Sequence, residues 1–239
     1  MIIIPARIGS TRFPNKILAD IDGIPMVIRT AKAVDGIDDV LIATDSQEVV
    51  DIAKQFGYKA TLTDKNHQSG TDRIFEAAKK FGLKDNDIVI NVQADEPFIE
   101  ESVVKAVYDL TKRNLGNEKI LMNSCYKILN SSQADDPNLV KVVTSLSGNA
   151  LYFSRSKIPY PRDHHFDEFR GHIGIYGFSM KSLEVFCSLE TSSIEHIEKL
   201  EQLRALHNDY DISMVEVETN SFGIDTQEDL ERALKFHIL

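Results

Sequence analysis

Met1-Ile-Ile-Ile-Pro-Ala-Arg-Ile-Gly-Ser-Thr-Arg-Phe-Pro-Asn-Lys16 opens the chain. Met1 to Pro5 is a short, continuous apolar run with three isoleucines, which reads as a strand buried on both faces. Pro5 is expected to end it, because proline has no N–H to give to a ladder. The loop beyond carries Arg7, Arg12 and Lys16, with Gly9 and Ser10 between them. Three cations on one short loop repel one another unless an anion arrives. Ligands of open α/β sheets bind outside the carboxyl ends of the strands. The loop is therefore a phosphate grip or a solvated basic loop, and spacing alone leaves the two about even.

Outward from this stretch, strand and helix patterns alternate, which argues for a mainly parallel sheet flanked by helices. A helix is expected over Met26–Val34, after the Gly23-Ile24-Pro25 turn, and a buried strand over Val40–Asp45. Thr44 and Asp45 then fall on the same sheet edge as Arg7. Ser46 is expected to cap a helix reaching about Phe56, followed by a short strand, Lys59–Leu62. Helices are expected from Thr71 to about Phe81 and from Glu100 to Asn114, with the strand Asp87–Gln93 between them. From Ile120 the pattern changes to short strands, Leu121–Ile128, Val140–Thr144, Ala150–Ser154 and His172–Phe178. Residues 123–180 read as an antiparallel extension, a lid or subunit-contact arm within one domain spanning 1–239. Ile194–Arg204 reads as one helix with Ile197, Leu200, Leu203 and Leu206 as its buried stripe and Glu195, Glu198 and Glu201 on another face. A late strand, Ile212–Val217, precedes a last helix opened by Gly223-Ile-Asp-Thr-Gln-Glu-Asp229.

The 239 residues suit one large α/β domain. A hydrophobic share of 42% and a charged share of 27% are ordinary for a soluble globular chain. The formal net charge of −10 argues against a nucleic-acid partner. Any anionic substrate must then be held by local cations. Cys125 and Cys187 have no metal-type spacing and read as free thiols of a reducing compartment. Met1 leads straight into a strand, and no apolar run is long enough for a bilayer, so no membrane partner and a cytoplasmic location are expected.

Three further stretches could carry chemistry. Ser69-Gly70-Thr71 offers backbone N–H groups at a helix start, with Arg73 in the first turn. This is an anion site or ordinary capping, and both can hold together. Asp95-Glu96, at the tip of a strand, is costly unless a cation or a proton compensates. A hard divalent ion shared with phosphate oxygens would do so, and a solvated loop carboxylate is the simpler reading. Thr226 and Asp229 have capping-box spacing, which explains Thr226 and leaves Asp225 over. The pair His164-His165 reads as an exposed loop.

Pro5-Ala6-Arg7, Ser10-Thr11-Arg12 and Pro14-Asn15-Lys16 resemble the signature loop of the sugar-nucleotide cytidylyltransferases, and more specifically the 3-deoxy-manno-octulosonate (Kdo) cytidylyltransferase family. The likeness continues through His67-x-Ser69-Gly70-Thr71-x-Arg73 and Val92-Gln93-Ala94-Asp95-Glu96-Pro97. It recurs at Asn138-x-Val140-Lys141-Val142-Val143, Leu151-Tyr-Phe-Ser-Arg155 and His172-Ile-Gly-Ile-Tyr176. It closes with Glu195-His-Ile-Glu-x-Leu-Glu-Gln-Leu-Arg204 and Asp225-Thr226-x-Glu228-Asp229-Leu230. It runs in order from Ile4 to Leu230, and agreement of several motifs is harder to reach by chance than any one of them.

The resemblance implies a Rossmann-like sheet of the nucleotide-diphospho-sugar transferase type and transfer of CMP from CTP to Kdo, with pyrophosphate released, for lipopolysaccharide synthesis. It implies Mg2+ held by Asp95 and Asp225, and a homodimer. It implies nucleotide contacts from Ala6, Arg7, Arg12, Lys16, Thr44, Ser69, Arg73 and Gln93, with Arg7, Lys16, Asp95 and Asp225 catalytic. Sugar contacts fall to Gln93, Arg155, His172, Tyr176, Glu201 and Gln202. Ala94 departs from the family's Gly, and the loop from Asp163 to Arg170 is shorter than is common. Rival readings are the same chemistry on 8-amino-Kdo or a sialic acid, and a non-catalytic nucleotide-sugar sensor. A glycosyltransferase would show Asp-x-Asp, and an NTP-dependent kinase a Gly-x-x-x-x-Gly-Lys-Ser/Thr loop; neither stands here.

Overall fold

The computed structural model describes residues 1–9, 13–163 and 166–237. Arg12, His164 and His165 lie outside the described residues. In chain order the elements are β1 (Ile2–Ala6), a 3-10 turn (Lys16–Leu18), β2 (Asp20–Ile21), β3 (Ile24–Pro25), α1 (Met26–Val34), β4 (Val40–Thr44), α2 (Gln47–Gln55), β5 (Lys59–Leu62), α3 (Gly70–Lys80), β6 (Ile88–Asn91), α4 (Glu101–Arg113), β7 (Ile120–Leu129), α5 (Ser131–Ala134), β8 (Lys141–Thr144), β9 (Ala150–Ser154), β10 (Phe169–Ser179), α6 (Met180–Ser188), α7 (Ser193–Glu198), α8 (Leu203–His207), β11 (Asp211–Glu216) and α9 (Gln227–His237). They fall into two compact units, one of Met1–Leu83, Val89–Lys105 and Asn220–Leu239, the other of Lys84–Ile88 and Ala106–Thr219.

The first unit holds parallel strands in the order β6-β1-β4-β5. Parallel neighbours need long crossovers, and α1, α2 and α3 supply them. Ile2, Ile3 and Ile4 of β1 are wholly buried, as are Met26, Val27, Ile28, Ala31 and Val34 of α1. Full burial of one large aliphatic side chain contributes about 1.5–3 kcal/mol. Strand β1 outlasts its expected end, because Pro5 and Ala6 still pair with Ala43 and Thr44 of β4. The reason lies on the other side. Ile3 accepts from Val92 N–H, so the backbone groups of Ile3, and by alternation those of Pro5, point away from β4. The β6 ladder has ended by then, and the missing proline N–H breaks nothing.

Ser46 occupies the N-cap of α2, but its side chain makes no capping bond. Its own N–H instead donates to the Thr44 hydroxyl. Ser69 does cap α3, accepting from Asp72 N–H.

In the second unit β11 runs parallel to β7, while β7–β10, β10–β8 and β8–β9 are antiparallel. The architecture is thus a mainly parallel sheet flanked by helices, with a strand-rich antiparallel extension. Helix α6 has no counterpart in the sequence reading. It starts on a reciprocal Ser179–Ser182 capping box and buries Met180, Leu183 and Phe186.

The helix expected over Ile194–Arg204 is broken. Helix α7 ends at Lys199, which takes the left-handed conformation at φ 55°, and α8 starts afresh at Leu203. Ile197, expected in the buried stripe, is 79% exposed. Leu200, Gln202, Leu203 and Arg204 are all buried. Residues 200 and 202 point to opposite sides of a continuous helix, and the break lets both be buried. The expected acidic face is also partnered rather than solvated. Glu195 takes a two-pronged bond from Arg204 at 3.0 and 2.7 Å, and Glu198 accepts from the Ser154 hydroxyl at 2.6 Å and Arg155 N–H at 2.9 Å.

Gly171 of β10 permits a close approach in this unit. A Cβ there would stand 2.6 Å from Leu129 Cδ1 and 2.7 Å from its Cγ, and Leu129 is itself buried. Gly171→Ala should therefore destabilise by about 1–3 kcal/mol through overpacking, read as a lower urea midpoint. In a Leu129→Ala background the penalty should shrink. An equal penalty in both backgrounds would rule out this contact as the cause.

Candidate active site

The carboxyl end of β1 delivers buried Ala6 and then exposed Arg7. The 3-10 turn that follows begins at Lys16, with Asn15 in the left-handed region before it. The Lys16 ammonium donates to Asp95 Oδ2 at 2.6 Å and to Asp225 Oδ1 at 2.9 Å. Burial works against the Lys16 charge, but the two carboxylates outweigh it and hold its pKa above the ordinary value. The segments bearing the two acids are joined directly, since Ile224 N–H donates to the Asp95 carbonyl. Asp229 accepts from the N–H groups of Asp225 and Thr226, and Thr226 accepts from Asp229 N–H. That capping box leaves the Asp225 carboxylate turned to Lys16.

Ala94 sits comfortably where the family pattern has Gly. It is buried, its backbone is not in the left-handed region, and its carbonyl accepts from the Thr30 hydroxyl at 2.9 Å. The N-terminus of α3 approaches this group as well. A Cβ on Gly70 would lie 3.2 Å from Pro5 and 3.8 Å from Gln93 Oε1. Gln93 in turn donates to Asn91 Oδ1 at 3.2 Å.

Arg73 is only 2% exposed. Its guanidinium donates to the Thr63 hydroxyl and, at 3.4 Å, to Asp45 Oδ2. Burial lowers its pKa, Asp45 opposes that, and the nearby Arg7 adds to the lowering. Asp45 Oδ1 also accepts Ile8 N–H at 3.1 Å. One carboxylate thus ties a buried arginine to the loop that carries Arg7. The Thr44 hydroxyl serves the Ser46 turn, and that of Ser69 is engaged with Asp72 in both directions.

Gln93 belongs to the first unit, and the other five expected sugar contacts belong to the second. Tyr176 donates to Gln202 Oε1 at 3.2 Å. Burial pushes the Tyr176 phenol well above its usual range, with the Glu201 charge adding to it. The rings of His172 and Tyr176 stand 5.5 Å apart, and Phe153 meets His172 edge-on at 4.9 Å. Burial holds the His172 imidazole down to about 3, so it is neutral near pH 7. Its Nε2 is 3.0 Å from the Ser124 hydroxyl, which lies 2.7 Å from the Ile175 carbonyl. The Ser124 proton goes to that carbonyl, so His172 Nε2–H donates to Ser124 and Nδ1 carries the lone pair. Glu201 lies 3.9 Å from Arg204. Arg155 spends Nε on the Glu198 carbonyl and Nη1 on the Pro137 carbonyl.

Two buried donors stand out. Among the described residues neither Gln202 Nε2 in the second unit nor Asn91 Nδ2 in the first has a hydrogen-bond partner. Leaving such a group unmet costs about 1–3 kcal/mol, which a ligand acceptor would offset. Asn91 and Asp45 were not assigned from sequence. Asn91 carried a signal, as the polar member of the apolar run Ile88-Val-Ile-Asn-Val. Asp45 carried only its place at the strand edge.

Among the described residues no three His, Cys, Asp or Glu side chains are grouped to hold a metal alone. The donor set nonetheless suits magnesium. Two hard carboxylates already converge on one cation, and Mg2+ normally takes one or two carboxylates plus substrate phosphates and water. Among the described residues no helix is long and apolar enough to cross a membrane.

A family profile described as Cytidylyltransferase matches residues 1–212. A 3-deoxy-manno-octulosonate cytidylyltransferase of a Nitratiruptor species is 54% identical over 232 residues, covering 97% of each chain. One from Wolinella succinogenes is 50% identical over 239 residues, covering 98% of each. A solved structure of CMP:2-keto-3-deoxy-manno-octonic acid synthetase complexed with CTP superposes with a TM-score of 0.87 at 36% identity, covering 99% of this chain and 97% of that one. Likeness of this extent, in sequence and in fold, places the chain in the cytidylyltransferase family, among the 3-deoxy-manno-octulosonate cytidylyltransferases, which are nucleotidyltransferases.

Proposed function

We propose that the chain transfers CMP from CTP to Kdo, giving CMP-Kdo and pyrophosphate for lipopolysaccharide synthesis in the cytoplasm. The observation that carries this reading is the convergence of Lys16, Asp95 and Asp225 next to the Arg7 loop. A hydroxyl of the sugar attacks the α-phosphorus of CTP. The new bond joins that oxygen to phosphorus, the bond from phosphorus to the β-phosphate oxygen breaks, and the hydroxyl proton passes to solvent. Such a reaction needs positioning and charge neutralisation more than a covalent catalyst. Arg7, Arg12 and Lys16 are assigned to neutralising phosphate oxygens, and Arg73 adds its charge from its buried place. Ala6, Thr44, Ser69 and Gln93 line the nucleotide. Magnesium held by Asp95 and Asp225 would supply charge neutralisation at the phosphates and a lowered pKa at the attacking hydroxyl.

The sugar is assigned to Gln93, Arg155, His172, Tyr176, Glu201 and Gln202. The unmet Gln202 Nε2 donor and the His172 Nδ1 lone pair support this, since a polyhydroxylated acid brings both acceptors and donors. Arg155 keeps only part of its guanidinium for a carboxylate. A homodimer fits the exposed Leu146, Leu151, Tyr160 and Ile197 of the second unit. Pyrophosphate release from CTP with Kdo, 8-amino-Kdo and a sialic acid tests the whole reading. Release with Kdo above the others is expected, and no release with any sugar would favour a nucleotide-sugar sensor.

Three sets of variants divide the roles. Asp95→Asn and Asp225→Asn should each remove most turnover and leave the fold intact, as circular dichroism would report. Their effects should be non-additive, because both serve one metal–triphosphate group. A double-variant loss equal to the product of the single losses would mean they act separately.

Glu201→Gln or His172→Ala should raise KM for Kdo or lower kcat with CTP affinity nearly unchanged. Titration of CTP alongside Kdo kinetics decides this, and a parallel fall in CTP binding would remove these residues from the sugar.

Asp45→Asn keeps an acceptor for Ile8 N–H but loses the charge facing Arg73, whereas Asp45→Ala loses both. KM for CTP should rise in the order wild type, Asn, Ala. Folded variants with wild-type KM for CTP would show that Asp45 does not set the loop.

A further inference from the structure

Lys16 faces two competing demands. In the proposed reaction it neutralises phosphate. In the structure its ammonium lies on both carboxylates assigned to the metal, at 2.6 and 2.9 Å, and its side chain is only 12% exposed. A lysine ammonium has three N–H donors, and two of them are spent here on acids that are 79 and 209 residues away in sequence.

We propose that Lys16 is a tethered cation that keeps the Asp95–Asp225 site closed to free divalent ions and yields it when a triphosphate arrives. This rests on the reading of those two carboxylates as metal ligands.

Charge supplies the first reason. The two carboxylates carry two negative charges, and Lys16 cancels one of them, so a free ion meets half the charge that it would otherwise meet. An ammonium tethered at the site also acts at a high effective concentration, which a dissolved ion must overcome. Both effects weaken binding of a metal that comes alone.

The second reason is how Lys16 is held. Its backbone is fixed within the 3-10 turn, with its N–H donating to the Phe13 carbonyl at 3.1 Å and its carbonyl accepting Ala19 N–H at 3.0 Å. Ile17 beside it is 4% exposed and anchors the turn. The backbone therefore need not move. The four-carbon stem of lysine is flexible and carries a compact charge, so the ammonium can leave the carboxylates by rotation about its own bonds. A triphosphate offers it a stronger anionic partner, and the two acids are then free for a divalent ion. The exchange balances, because two carboxylates released from one ammonium are met by a cation of twice the charge. Metal is thereby admitted with the nucleotide rather than ahead of it.

The test uses Mn2+ as the probe, with its free ion followed by electron paramagnetic resonance. Wild type, Lys16→Met, Lys16→Arg, Asp95→Asn and the Lys16→Met/Asp95→Asn double variant are titrated without nucleotide. Lys16→Met is expected to bind Mn2+ at least about tenfold more tightly than wild type, as for removal of one competing charge. Lys16→Arg, which keeps a tethered cation, is expected to stay weak. The double variant is expected to lose the gain, which separates this site from diffuse binding to an acidic protein. Wild type with the non-hydrolysable α,β-methylene analogue of CTP is expected to bind Mn2+ tightly, and Asp95→Asn with the same analogue weakly.

If Lys16→Met binds Mn2+ no better than wild type while Asp95→Asn still weakens the nucleotide complex, the gating role of Lys16 is overturned and the metal ligands stand. If Asp95→Asn leaves Mn2+ binding unchanged with the analogue present, the metal reading fails and the gate with it. Asp95 and Asp225 keep 29% and 52% side-chain exposure, so water can meet them once Lys16 is gone and the variants are expected to fold.

Discussion

The ammonium of Lys16, shared between Asp95 and Asp225, is the contact on which the geometry of the first unit turns. It draws three distant segments to one point: the loop after β1, the end of β6 and the start of α9. None of the three is held by that ion pair alone. The 3-10 turn fixes the lysine, the Thr226–Asp229 capping box fixes Asp225, and the bond from Ile224 N–H to the Asp95 carbonyl holds the two acids near one another. An isolated exposed ion pair contributes little to stability. A pair whose partners are pre-positioned by backbone bonds loses less side-chain entropy and can be broken and remade on the same frame.

Beside it stands a second, more buried pair with a different use. Arg73 and Asp45 are 2% and 9% exposed at the side chain, so neither is readily given up to a ligand. A buried charge that loses its partner is strongly destabilising. The pair is therefore better suited to holding the loop, through Ile8 N–H, than to moving during turnover. One unit thus contains a cation proposed to move and one held in place. Depth of burial and residue type, a flexible lysine stem against a planar guanidinium, both separate their roles.

The second unit handles polarity in another way. His172 and Tyr176 are kept neutral by burial, and the Ser124 hydroxyl sets which imidazole nitrogen carries the proton. Fixed dipoles of this kind cost no reorganisation when a neutral hydroxyl approaches. The break between α7 and α8 belongs to the same arrangement, because it lets Gln202 turn inward toward Tyr176 while Leu200 stays in the core.

Several features were legible in the residues themselves. Continuous apolar runs such as Ile2–Ile4 and Val40–Ala43 can only be satisfied by burial, so the strands, and with them the mainly parallel sheet, follow from local pattern. Capping chemistry is local too, and Thr226–Asp229 and Ser69 behave as their spacing predicts. The motifs pointed to the family on their own. What the chain order could not express was which of several available partners, near or far in sequence, each group takes. Ser46 has the right type for a cap, yet its side chain makes no capping bond, and its N–H donates to the Thr44 hydroxyl. Ile194–Arg204 has helical periodicity, yet burying Gln202 together with Leu200 and pairing Arg204 with Glu195 outweighs the run of good helix formers. Asp45 gains its importance only from what the fold brings beside it, Arg73 and Ile8, and Asn91 from burial that leaves its amide donor unmet. Local propensity is worth tenths of a kcal/mol per residue, whereas an unmet buried charge or donor is worth several times more. The tertiary structure decided wherever the two disagreed.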